Sequence, residues 1–124
     1  MSLTRKVLNT AGAVMIASAI SLTDISAAQA VSKYRCVYPA VCIYNKPTPA
    51  RSAGSEIIYR YYDVTDGWQR LPWPVSNFSV VNTRNDDAVY LAGHEWIQCL
   101  SPNDVKNGAG QALWAIRIVD TSQC

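Results

Sequence analysis

From residue 31 onward the chain never sustains the 3.6-residue apolar period of an amphipathic helix. Short apolar or aromatic runs alternate instead with turn clusters, the pattern of an all-β domain. The runs are Tyr34–Tyr44, Glu56–Val64, Phe78–Asn82, Ala88–Ala92, Glu95–Leu100 and Ala112–Val119, which predicts six short strands. Side chains alternate across a strand, so Ile57, Tyr59 and Tyr61 share one face, opposite Ile58, Arg60 and Tyr62. In the last run Trp114, Ile116 and Ile118 fall on one side and Ala115, Arg117 and Val119 on the other, which places Trp114 in the core.

The breaks carry their own chemistry. Asn45-Lys46-Pro47-Thr48-Pro49 cannot continue a central strand, because its two prolines lack the N–H that a ladder requires. Asp66-Gly67 predicts a tight turn, and Leu71-Pro72-Trp73-Pro74 an extended, irregular piece. Ser101-Pro102-Asn103-Asp104 and Asn107-Gly108-Ala109-Gly110 together predict one long loop over 101–111.

The first 30 residues do not belong to this pattern. Arg5 and Lys6 precede an apolar stretch from Ala11 to Leu22, and Ala28-Gln29-Ala30 ends the segment. That order predicts a cleavable secretory signal over 1–30, cut between Ala30 and Val31. The apolar run is too short to span a bilayer, which takes about 20 residues. The expected product is a secreted, extracellular, monomeric single domain, 31–124, with no membrane association after cleavage. The whole chain has 11 Lys and Arg against 9 Asp and Glu, and beyond residue 30 the charges are scattered singly apart from Asp86-Asp87. A chain this close to neutral has no electrostatic footprint for nucleic acid.

Four cysteines, Cys36, Cys42, Cys99 and Cys124, all follow the signal. An even count in a small exported domain reads as two disulfides. A hairpin through Tyr38-Pro39-Ala40 would set Cys36 opposite Cys42, leaving Cys99 for Cys124. Neither pair has zinc-ligand spacing and His94 is the only histidine, so no metal and no cofactor are expected.

Three fragments resemble a known family. Cys36 with Val41-Cys42-Ile43-Tyr44, Ser79-Val80-Val81-Asn82 followed by Ala88-Val89-Tyr90-Leu91, and the closing Ala115-Ile116-Arg117-Ile118 are similar to motifs of small secreted bacterial proteins of βγ-crystallin-like fold. That family includes metalloproteinase inhibitors, toxin-like proteins and calcium-binding modules. The resemblance implies a small double Greek-key sandwich, here stapled by two disulfides, and a peptidase inhibitor as its function. An SH3-like small barrel is the alternative fold. At the family's calcium positions this chain has Pro74-Val75 and Gly110-Gln111, which offer no carboxylate, so calcium is not expected.

An inhibitor presents a rigid loop to a protease cleft. Cys99-Leu100-Ser101-Pro102 is the candidate: a disulfide anchors Cys99, Pro102 fixes φ, and Leu100 suits an extracellular, thermolysin-like metalloprotease. Enzyme chemistry finds less support. Ala92-Gly93-His94 before Glu95 reads as a hairpin turn and Asn85-Asp86-Asp87 as another, so no catalytic residue is expected. All 12 aromatic residues lie beyond the signal. Most are expected to fill the core, but Trp68 and Trp73 sit among turn residues. As an exposed pair they would suit the alternative function, a non-enzymatic module binding a cell-wall glycan or a protein.

Overall fold

The computed structural model describes residues 32–49 and 54–124; the signal segment 1–30 and its cleavage point lie outside the described residues. Among the described residues the chain forms eight strands and no helix. They are β1 (Ser32–Lys33), β2 (Cys36–Val37), β3 (Val41–Tyr44), β4 (Ile57–Tyr61), β5 (Gln69–Asn82), β6 (Ala88–Ala92), β7 (Ile97–Leu100) and β8 (Val105–Val119). β1 and β2 pair as a separate ribbon, and the other six form one antiparallel sheet in the order β4-β3-β5-β8-β6-β7.

The all-β reading holds, but two strands are far longer than predicted. β5 reaches back to Gln69 and β8 forward to Val105, so the loop expected over 101–111 shrinks to Ser101–Asp104. Gly108 explains the difference. It is a strand residue paired with Phe78, and a Cβ at this position would overlap the Phe78 ring. The glycine serves close packing rather than a turn.

β8 is too long to be straight. Fifteen extended residues span roughly 48 Å, yet both flanks of β8 return to the same turn. Asp104 O accepts from Asn82 N (3.0 Å) and Thr121 O from Ala88 N (2.7 Å). Residues 82 and 88 stand at most about 21 Å apart. The β5–β8 ladder therefore bends at its register shifts, after Arg70 and after Ser76. Its two halves enclose one core of Val41, Ile43, Phe78 and Val80 from one side, and Val89, Leu91, Leu113, Ile116 and Ile118 from the other.

β3 is buried on both faces. Val41 and Ile43 enter the main core, while Cys42 and Tyr44 enter a second cluster with Cys36, Ala40 and Val81. The Tyr44 hydroxyl donates to Tyr34 O (2.6 Å), and Arg35 donates to Ser55 O (3.1 Å). These contacts hold the β1–β2 turn, whose Tyr34 (φ 52°) and Arg35 (φ 69°) occupy the left-handed region. Two positive φ values suit a tight two-residue hairpin. Burial pushes the Tyr44 hydroxyl pKa up to about 12.

Both disulfides form as paired from the sequence, Cys36–Cys42 (Cα–Cα 5.9 Å) and Cys99–Cys124 (5.6 Å). The first bridge does not close the hairpin between facing residues that the sequence predicts. Cys42 pairs with Arg60 and Val81, and Cys36 pairs with Lys33. Both edges of β3 are already taken, so the bridge runs from the small ribbon onto the face of β3.

One arginine joins three segments. The Arg84 guanidinium donates to Pro39 O (3.0 Å), to Tyr62 O (3.0 Å) and to Asp87 Oδ2 (2.7 Å). Nearby, Asn82 Nδ2 donates to Asp87 O and Ser101 O.

Candidate functional site

The outer face of the β5–β8–β6–β7 half carries a groove that follows from the register. Arg70 faces Ala115, Ala115 faces Ala92, and Ala92 faces Ile97, so these four residues form one row across four strands. Facing residues of neighbouring strands point to the same side. Two methyl groups between an arginine and an isoleucine leave a trough, with a volume of about 780 Å³.

Its walls are tryptophans. Trp68, Trp96 and Trp114 all line the groove, together with His94 and Glu95. Trp68 lies two residues before Arg70, on the same side of the chain. The preceding turn is pinned by Thr65, whose Oγ1 donates to Gly67 O (2.7 Å) and whose N–H donates to Ile118 O (3.3 Å).

Trp114 overturns the core assignment made from alternation. Its residue is 38% exposed. Between Arg70 and Val75, β5 carries four residues opposite the single Trp114 of β8. Pro72 and Pro74 cannot donate to the ladder, so the segment bulges. Leu113 and Ile116 both face the core, which means the alternation slips by one place between them. The slip turns Trp114 outward beside Ala115.

The β6–β7 turn supplies the third indole. Gly93 N donates to Trp96 O (2.9 Å), closing the turn around His94 and Glu95. A Cβ on Gly93 would overlap the Trp96 indole, so glycine lets that ring lie down on the turn. Trp96 is parallel to Phe78 at 6.1 Å between centroids. Lys106 Nζ stands 6.0 Å from the Trp96 ring centre. The His94 ring lies 5.8 Å from that of Trp114, and its Nε2 is 3.8 Å from Glu95 Oε2. His94 thus sits at the rim, in the hairpin turn predicted for it.

The other predicted site residues separate. Trp68 and Trp73 are both exposed, at 41% and 73%, but Trp73 rides on the bulge and does not line the groove. Cys99 and Leu100 belong to β7 rather than to a loop. Leu100 is buried in the main core opposite Val89, where it cannot enter a protease cleft. Only Ser101 and Pro102 lie in the following turn. The candidate inhibitory loop is therefore a strand end with its apolar residue turned inward. Nothing in the local sequence marks Arg70, Ala92, Ala115 or Trp114 as site residues, because only the long-range register brings them together. No family model, curated protein or solved structure matches the chain.

Proposed function

We propose that the protein is a secreted, non-enzymatic glycan-binding module on a βγ-crystallin-like frame, with the tryptophan groove as its binding site. The observation that carries this reading is the convergence of Trp68, Trp96 and Trp114 on a trough floored by Ala92 and Ala115. A pyranose ring has an apolar face of C–H groups and a rim of hydroxyls. Indole faces take up the first, while indole N–H groups, His94 and Glu95 at the rim meet the second. Two disulfides support an oxidising, extracellular setting, in keeping with the signal read at 1–30. The bent two-layer sheet supports the βγ-crystallin kinship. A peptidase inhibitor would present a projecting loop, and the burial of Leu100 in the main core favours the groove over the Cys99–Pro102 segment as the binding site.

Intrinsic tryptophan fluorescence of the oxidised protein, titrated with chitin oligosaccharides and soluble peptidoglycan fragments, tests this directly. A saturable change is expected, weakened at least roughly tenfold by Trp114→Ala or Trp68→Ala, as for a buried aromatic anchor. Trp73→Ala should leave affinity unchanged. Absence of a saturable response, or equal loss in Trp73→Ala, would overturn the proposal.

A further inference from the structure

The row that floors the groove is chemically asymmetric. It runs from the cation of Arg70, across the methyl groups of Ala115 and Ala92, to Ile97. Among the described residues Arg35, Arg84 and Arg117 are engaged in holding the fold, and Arg60, which is exposed, does not line the groove. Arg35 donates to Ser55 O, Arg84 to Pro39 O and Tyr62 O, and Arg117 to Thr65 O at 3.3 Å. Lys106 stands over Trp96. Arg70 is exposed, and the ion pairs among the described residues are Arg84–Asp87 and His94–Glu95, so no carboxylate neutralises it.

Glu95 does not cancel this charge. It sits on the β6–β7 turn, two strand spacings or roughly 10 Å from β5. Its side chain is 85% exposed and stands beside His94. Water and salt screen an exposed charge at that range, since the Debye length is about 8 Å at physiological ionic strength. The end of the groove at Arg70 is therefore electropositive, and the guanidinium fork is free to match a planar carboxylate with two parallel N–H···O bonds.

Resting on the glycan reading above, we infer that the groove selects acidic glycans. A uronic-acid residue places its carboxylate on Arg70 and its ring over Ala115 and Ala92, beside Trp68 and Trp114. The carboxylate supplies the orientation that stacking alone does not, because an aromatic face accepts a sugar ring in several rotations.

The test compares an α-1,4-linked galacturonic acid trisaccharide with its methyl ester, which keeps the rings and removes the charge. Both are titrated against the oxidised protein and its Arg70→Gln variant by calorimetry at low and physiological salt. The free acid should bind roughly tenfold tighter than the ester, the worth of a charge-assisted pair. Arg70→Gln should erase that difference, so that acid and ester bind the variant equally. Equal binding of acid and ester, with Trp114→Ala weakening both, overturns the acidic preference and leaves the glycan reading standing. A preference that survives in Arg70→Gln overturns the role of Arg70. Binding of neither sugar, with none to neutral oligosaccharides, removes the glycan reading and this inference with it.

Discussion

At the β3 end of the ladder both faces of the sheet are covered; at the bulged end only one is. Val41, Cys42, Ile43 and Tyr44 are all fully buried, sealed by β4, β5, the small ribbon and a disulfide. Around Ala92 and Ala115 the inner face is as apolar, with Leu91 and Ile116 fully buried, yet the outer face is an open trough. The two regions share one ladder and differ in side-chain size. Where the outer positions carry Cys42 and Tyr44, a second cluster packs on them. Where they carry alanine, the flanking tryptophans have nothing to close upon. Burying a large apolar side chain stabilises by about 1.5–3 kcal/mol, and the tryptophans of the groove forgo part of that gain.

The largest expected effect concerns Phe78, which joins the two regions by filling the core and lying parallel to Trp96. Phe78→Ala should cost about 3–5 kcal/mol in urea unfolding. Trp114→Ala should cost under about 1 kcal/mol. Similar losses for the two would mean that the groove is part of the core after all.

The next effect separates the disulfides from the groove. Removing Cys99–Cys124 by a double serine substitution opens a loop of sequence separation 25 and should cost about 3 kcal/mol. The folded fraction should still bind whatever fills the groove, because neither Cys99 nor Cys124 lines it. A variant that melts no lower than the parent would show that the bridge adds nothing.

The smallest effect is a pH dependence confined to the β3 end. The Tyr44 pKa is raised above its ordinary value of 10.0 to about 12, first by burial. The unfolded chain therefore ionises this tyrosine before the folded one does. Its contribution is complete below about pH 10 and is lost as pH rises toward about 12. Tyr61, also raised by burial, adds in the same direction. Tyr44→Phe should flatten the alkaline fall in melting temperature, at the cost of the hydrogen bond to Tyr34 O, about 1 kcal/mol. An unchanged alkaline profile would place the sensitivity elsewhere.

Much of the fold could be read from the chain because it depends on local pattern. Val41–Tyr44, Ile57–Tyr61 and Ala88–Ala92 are strands within the apolar and aromatic runs that predict them, and the cysteines pair as predicted. The failures have a common cause in contacts made at long range. Gly108 resembles a loop residue until Phe78 is seen against it. Trp114 keeps step with Ile116 and Ile118 only if β8 is regular, and four residues of β5 bulging opposite it break that step. Leu100 looks presentable beside Pro102, but its strand partner Val89 fixes it inward. The groove was legible only in part. Trp68 stood out as an exposed aromatic, whereas Ala92 and Ala115, far apart in the chain, announce nothing until β6 and β8 lie side by side.

The clasp around Arg84 bears on how the molecule breathes. One side chain holds the turns at Pro39, Tyr62 and Asp87, and the adjoining backbone ties Thr83 to Ala40 and Asn103 to Arg84. Segments more than 40 residues apart are thereby made members of a single cooperative unit. None of these turns can fray alone without breaking a bond shared with the others, so amide exchange here is expected to run through one concerted opening, not through the piecemeal loosening usual for surface turns. The groove lies outside that unit, and its rim can adjust to a ligand without disturbing the closure of the fold.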